Sequence, residues 1–420
     1  MEISTQITVK VPDDRVPRIS EIEKLVFRAA MTGARLLFVC VLEHLEQRIF
    51  AENPDLTKQK RRERWLVTRV GRLKIVRYQA RFAAMSRYGY PLDEKLALPK
   101  SGEATPWVRK MGARLAACYP YRQAAGLLSA IIGARCCHRA IWRITQAEGR
   151  KIRAKQAAAR KATFGDGLAP AGSDGPVPSL VVCEADGTML RDRTGAKMEA
   201  RLAVAYEGMT PASETAKARR YRLKRKAMVS SLDDVDTFGQ DVAIELEEQF
   251  SFSSVPTSLF VADGDLKLKK LARSWLPGTV YQLDHFHLAM RATDLARGDP
   301  ELAASLKKLA FSKKTDELSA VVADAARQGR VQAESAAEFV AYCKANRDGI
   351  WASAKLKDRI PDPAMRIIGS GVIEHNVDLV VARRMKKKGM FWSREGAANL
   401  LAVRTQDWPY DYGWWYRETV

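Results

Sequence analysis

The sequence predicts an α+β chain of several domains, helical in its first third and mixed α/β beyond about residue 178. Three observations carry this. Apolar residues recur at helical spacing over 22–49 and 122–148, a stretch rich in Gly, Pro, Ala and Ser ends near residue 179, and short β-rich runs begin just after it. With 420 residues, 46% of them apolar, the chain can bury a sizeable core, which excludes global disorder.

The first element covers 1–55. Ile22, Leu25, Val26, Ala29, Leu36, Leu37, Cys40 and Ile49 follow helical intervals with charges between them, so one or two helices are expected. Over 56–104, Val67, Val70, Leu73, Ile75 and Tyr78 mark a hairpin about a Gly71 turn, laced with Arg69, Arg72, Lys74, Arg77 and Arg81. So basic a hairpin suits a phosphate backbone. Residues 105–150 hold two helices joined at Ile132-Gly133-Ala134, with Ala124, Leu127, Leu128 and Ile131 expected to be buried on the first and Cys137, Ile141 and Ile144 on the second. The outer face of the second then presents Arg135, His138, Arg139, Trp142 and Arg143, the cationic surface that a helix entering a major groove needs.

Residues 151–178 read as a linker, basic at first and then rich in Gly and Pro. The α/β domain opens at 179–287, with strand signals over 180–183, 199–206, 227–230, 258–261 and 279–283 and a helical pattern near 242–250. Over 288–364 the pattern is purely helical (Leu302, Leu306, Leu309; Leu318, Val321, Val322, Ala325), as an all-helical insertion would be. The domain resumes over 365–405, and an aromatic tail closes the chain at 406–420, suited to an oligomer contact or to docking on the domain.

Lys and Arg number 70 against 49 Asp and Glu, a balance of +21. Such a surplus opposes compaction unless an external polyanion supplies counter-charge, and its spread in short clusters favours an extended nucleic-acid track. Cys40, Cys118, Cys136, Cys137, Cys183 and Cys343 show no zinc spacing, which fits a reducing compartment. The longest unbroken apolar run near the N-terminus, Leu36 to Leu42, is far shorter than the roughly 20 residues of a membrane helix, and no leader pattern opens the chain. A soluble cytoplasmic protein is expected, with no membrane partner.

Three carboxylates sit where strand or loop signals break off. Asp186 follows an apolar run and precedes Gly187, so its side chain is expected where a buried strand ends in a turn; Asp263 repeats the device before Gly264; Glu374 follows Gly371 at the expected start of a helix running toward Lys388. Magnesium chemistry on phosphates needs such a set, a few hard oxygen ligands that leave coordination sites open. Asp284 and His287, three residues apart on the first turn of a helix, share one side and read as a hydrogen-bonded pair that shapes or contacts the site, with metal ligation as the other reading.

These residues match a known pattern. Asp186-Gly187-Thr188, Asp263 within Ala262-Asp263-Gly264-Asp265, Asp284-His285-Phe286-His287, and Glu374 after Gly369-Ser370-Gly371, followed by Arg383-Arg384-Met385 and Gly389-Met390-Phe391-Trp392-Ser393, resemble the DDE transposases of bacterial insertion sequences related to the Mutator superfamily. The resemblance covers roughly 60–405, and it departs from the family's Gly-Asp-Gly at Ala262 while keeping the acid. It implies an RNase H-like catalytic domain with a helical insertion between the second Asp and the Glu. It further implies that Asp186, Asp263 and Glu374 hold two Mg²⁺ ions, for which Mn²⁺ can substitute, with Asp284 and His287 as the family's Asp-x-x-His element. The activity implied is cleavage at the terminal inverted repeats and strand transfer into target DNA, by a homo-oligomer assembled on DNA in the nucleoid.

Phosphate contact is expected of Lys217, Arg219, Arg220 and Arg222, seven basic residues falling within 217–226, and of Arg383, Arg384 and Lys387 beyond Glu374; Trp392 is a candidate to stack on an exposed base or, equally, to pack in the core. Two other readings differ in class: a domesticated DNA-binding regulator whose acids have lost the chemistry, and an RNase H-like nuclease that cuts without joining.

Overall fold

The computed structural model describes residues 2–83, 86–98, 103–211, 221–312, 314–352, 356, 371–387 and 389–406. The chain divides into two compact units, Met1–Glu148 and Gly149–Val420.

The first unit opens with one helix rather than two, α1 (Ile19–Glu52). Its last turns bury Leu42 and Ile49 among Leu66, Leu73 and Ile75 of a basic hairpin, β1 (Leu56–Thr68) and β2 (Gly71–Phe82), which pair antiparallel. Gly71 closes the hairpin at φ 107°, a conformation that side chains resist. A short β3 (Arg87–Gly89) extends the sheet, and α2 (Pro91–Lys95) brings Asp93 within 2.6 Å of Arg64 and 2.8 Å of Arg77, so part of the hairpin's charge is neutralised internally. By length and composition α1 is apolar enough to cross a membrane, because its most apolar window averages a mean hydropathy of 1.8 and only 11% of that window is buried. Counting an unbroken run hides this, since Arg35 separates Leu36 to Leu42 from the apolar residues before it.

Next come α3 (Pro106–Cys118), α4 (Tyr121–Ile132) and α5 (His138–Arg160). Gly133 ends α4 in the left-handed conformation, φ 63°, as a helix C-terminus favours, and the Ser129 hydroxyl accepts the Cys136 amide to fix the turn. Ala124 and Leu128 are buried as expected, but Leu127 and Ile131 are 37% and 39% exposed, because the buried stripe passes through Ala125 and Ile132 instead. On α5, Ile141 is buried whereas Cys137 before it is exposed.

The first half of the expected linker is helix. Alanines at 154, 157, 158 and 159 are strong helix formers, and α5 carries them to Arg160 before a π turn, Lys161–Gly165. Arg160 pairs with Asp241 at 2.5 Å, and Gly149 lies against the backbone of Asn399.

The second unit is built on a five-stranded sheet. In chain order its elements are β4 (Val181–Arg191), β5 (Lys197–Tyr206), a side ribbon of β6 (Gly208–Pro211) and β7 (Tyr221–Lys224), then β8 (Ala227–Ser231), α6 (Val235–Phe250), β9 (Ser258–Ala262), α7 (Leu266–Trp275) and β10 (Val280–Leu283). The strand order is β10-β9-β4-β5-β8. β4, β9 and β10 run parallel, while β5 pairs antiparallel with both β4 and β8. One face of the sheet presents Val181, Cys183 and Ala185 to a core with Phe238, Val242 and Leu246 of α6 and Leu268 and Leu271 of α7.

Four helices follow, α8 (His285–Ala296), α9 (Pro300–Phe311), α10 (Thr315–Arg327) and α11 (Ala333–Ala345), and they pack about their own core of Leu288, Leu306, Leu318 and Phe339. The described chain resumes with α12 (Gly371–Asn376), a π-helical segment (Val377–Ala382), α13 (Arg383–Met385) and α14 (Arg394–Arg404). The protein is therefore of the α+β class. A Cβ at position 149 would overlap the Asn399 backbone, so Gly149→Ala is expected to destabilise the protein by about 1–3 kcal/mol in urea denaturation at unchanged m-value.

Candidate active site

Alternation along β4 decides which side chains meet. Odd positions face the α6/α7 core, so Glu184, Asp186 and Thr188 point to the opposite face. The parallel ladder matches Val181 with Ser258 and Glu184 with Val261, and two residues beyond its end Asp186 and Asp263 lie close enough for the charge of one to act on the other. Here the structure departs from the expected turn at Asp186: β4 runs on to Arg191, and Asp186 and Gly187 pair with Leu202 and Arg201 in mid-strand. Glycine at 187 leaves room for the Glu199 carboxylate, whose Oε1 would come within 2.7 Å of a Cβ there.

Asp263 does stand at a strand end. Its Oδ1 accepts the Asp265 amide at 2.9 Å, Gly264 follows at φ 93°, and the Tyr342 hydroxyl of α11 donates to the Asp263 carbonyl at 2.7 Å. A side chain on Gly264 would meet the Tyr342 ring at 2.6 Å, so α11 can close on this turn only over glycine.

One strand further, Asp284 caps α8. Its Oδ1 accepts the Phe286 amide at 2.8 Å, its own amide donates to the Ala262 carbonyl at 2.8 Å, and it is 2% exposed. His287 lies one turn on, with Nε2 3.6 Å from Asp284 and 3.5 Å from Glu374. Asp284, His287 and Glu374 each offer a ligand atom, all within 4.8 Å of one another, so the Asp-x-x-His element is part of the acidic cluster and not merely beside it.

Glu374 rides on α12, which is tied to the sheet at two points. The Ile373 amide donates to Glu184 Oε2 at 2.9 Å, and Lys226 Nζ donates to Asn376 Oδ1 at 2.5 Å. Glu184 is fully buried, and the Tyr206 hydroxyl donates to its other oxygen at 2.5 Å. A lone glutamate inside the apolar run Val181-Val182-Cys183-Glu184-Ala185 is the signal that marks it in the sequence.

Crowding shows in the acidities. Burial, with the nearby charges of Asp284 and Asp186, pushes Glu374 up to about 7. Burial likewise lifts Glu184 to about 7, and Asp186 is raised by burial and by Asp263 and Asp284. Like charges gathered this closely call for a cation, and carboxylate oxygens with one imidazole suit a divalent one.

Residues 14–409 match a single family description over most of the chain. The chain belongs to the uncharacterised protein family UPF0236. No curated protein matches it.

In this UPF0236 chain the residues expected to meet DNA divide into three groups. Arg135, His138, Arg139, Trp142 and Arg143 are all exposed at and just before the start of α5. Arg383 and Lys387 are exposed but share Asp378, at 2.7 and 2.6 Å. Arg384 and Trp392 are corrected: they are 3% and 8% exposed, the guanidinium lies 5.4 Å from the indole ring centre, and the indole N–H donates to the Met385 carbonyl, so both belong to the core. Arg384 falls one helical turn past buried Val380, on the stripe that faces the protein. Exposed Lys386 of the same cluster lies against β4, its Nζ donating to Thr188 Oγ1 at 2.9 Å. Lys217, Arg219 and Arg220, the side chain of Arg222, Lys388, and the tail 407–420 lie outside the described residues.

A carboxylate raised in the folded state contributes stability below its ordinary value of 4.5 that is lost as pH rises through about 7. In metal-free protein, Glu374→Gln is therefore expected to leave Tm nearly unchanged near pH 4.5 and to raise it by about 2 °C or more near pH 8. A thermal-melt series across that range checks the sign.

Proposed function

We propose that this protein is a DDE transposase that binds the terminal inverted repeats of its element, cleaves there and transfers the strand to target DNA. One observation carries the reading: Asp263, just past the end of β9, lies close enough to Asp186 on the neighbouring parallel strand for its charge to act there, and a helix packed on that sheet holds Glu374 beside Asp284 and His287. The strand order, three antiparallel strands followed by two parallel ones, supports an RNase H-like domain, and α8–α11 fit a helical insertion between the second Asp and the Glu.

Asp186, Asp263 and Glu374 would hold Mg²⁺, or Mn²⁺ in its place, with His287 and Asp284 adjoining. Two such ions, when bound, activate an attacking oxygen and stabilise the leaving one in an in-line displacement. The protein's own part is to gather the acids. Asp284 uses one oxygen to cap α8, which fixes the direction of its other oxygen, and His287 Nε2 lies within reach of both Asp284 and Glu374. The exposed cations at the start of α5 suit major-groove recognition, and Lys386 beside Thr188 suits a phosphate near the scissile bond. The partners proposed are terminal-repeat and target DNA and further copies of the chain, in the cytoplasm at the nucleoid.

An amide keeps the shape of a carboxylate but removes its charge. Asp263→Asn and Glu374→Gln are expected to bind terminal-repeat DNA normally and to lose cleavage and strand transfer by about a thousandfold or more, assayed on a labelled end in Mg²⁺. Near wild-type cutting by either would refute the assignment, and cutting without joining by the wild type would make the protein a nuclease. Replacing Arg139 and Arg143 with Ala is expected to weaken DNA binding and flatten its salt dependence, with cleavage restored at high DNA concentration.

A further inference from the structure

We propose that Glu184 is a positioning residue, holding α12 so that Glu374 faces Asp186. The first amides of a helix have no acceptor within it, and Ile373 is the third residue of α12. Its N–H is buried, so it needs an acceptor from elsewhere in the fold. Glu184 supplies one at 2.9 Å, from a strand 189 residues earlier in the chain. Its second oxygen receives the Tyr206 hydroxyl, so the carboxylate is fixed from β5 while it holds α12.

The consequence falls on the next residue. Glu374 follows Ile373 directly, so wherever the Ile373 amide is held, the Glu374 Cα is held within one peptide unit. Glu184 itself points at that amide and at Tyr206, not at the cluster of Asp284, His287 and Glu374, so its role is to aim a ligand without being one. Groups that orient ligands in this way are commonly worth 10–100-fold in metal affinity. That part of the inference rests on the function proposed above; the hydrogen bond itself does not.

The test uses the full-length chain and two measurements. Hydrogen exchange over 371–376 reads the tether directly, and titration with Mn²⁺ alone, followed by electron paramagnetic resonance, reads the ligand set. Glu184→Ala is expected to speed exchange of the Ile373 amide at least about tenfold and to weaken Mn²⁺ binding about 10–100-fold. Glu184→Gln keeps an acceptor oxygen and is expected to restore both to near the wild-type value. Where the alanine variant does not fold, Glu184→Asp, whose carboxylate is withdrawn by one carbon, carries the same comparison against Glu184→Gln. Wild-type exchange and Mn²⁺ affinity in the alanine or aspartate variant would overturn the inference, as would a glutamine variant no better than alanine. If the wild type and Asp263→Asn bind Mn²⁺ equally, the metal-site reading fails instead, and exchange at Ile373 still decides the role of Glu184.

Discussion

Everything at this site depends on the register of one parallel strand pair. β4 and β9 come from segments far apart in sequence, and their ladder, which runs to Glu184 and Val261, brings Asp186 and Asp263 just beyond it within electrostatic reach of each other. A slip of one residue would turn one of the acids into the α6/α7 core, where a carboxylate could be neither solvated nor paired. The register is held by what that core wants: Val181, Cys183 and Ala185 on one strand and Phe260 and Ala262 on the other are buried among the aromatic and leucine side chains of α6 and α7. Apolar packing on one face thus fixes the polar geometry of the other.

The third and fourth contributions are mounted on this base by backbone hydrogen bonds. Asp284 extends the sheet through its amide before capping α8, and α12 is tied down through the amide of Ile373. α11 also reaches the site, since Tyr342 grips the carbonyl of Asp263 over a glycine. The helices α8–α11 have a core of their own, yet one hydroxyl ties them to a turn bearing one of the acids.

Much of this was legible in the sequence because period and punctuation carried it. The strand runs, the helix ending at Gly133, the helical stretch after β10 and the Asp284–His287 spacing all follow from local rules, and the structure has them where those rules put them. Asp186 was misjudged in position because Asp-Gly is ordinary turn chemistry, whereas here the glycine gives room to Glu199 across an unbroken strand. Residues 151–165 are helical and not linker because alanine among Lys and Arg favours a helix, whatever the run of charge suggests. Arg384 and Trp392 look cationic and aromatic enough to meet DNA, and only their phase on the helix and the bridge between Asp192 and Trp392 bury them. Glu184 is marked by its place in an apolar run, but its use is not, since that depends on an amide almost two hundred residues away.

The π-helical segment from Val377 to Ala382 has a further bearing on how the chain can vary. A π turn carries surplus residues relative to an α turn, so it can lose one by reverting to α geometry without breaking the helix. Losing that residue and reverting leaves everything after it facing as before, because the π turn had absorbed the roughly 100° that one extra residue adds to a helix. Glu374 lies before the segment and Arg384 and Met385 after it, so the acid and the buried end of the helix would both keep their places, and with them the strand-like contact at Trp392. The number of residues between the last acid and that tryptophan can therefore change by one, and a single-residue deletion within 377–382 would spare the domain, whereas the same deletion in regular α14 would turn buried side chains outward.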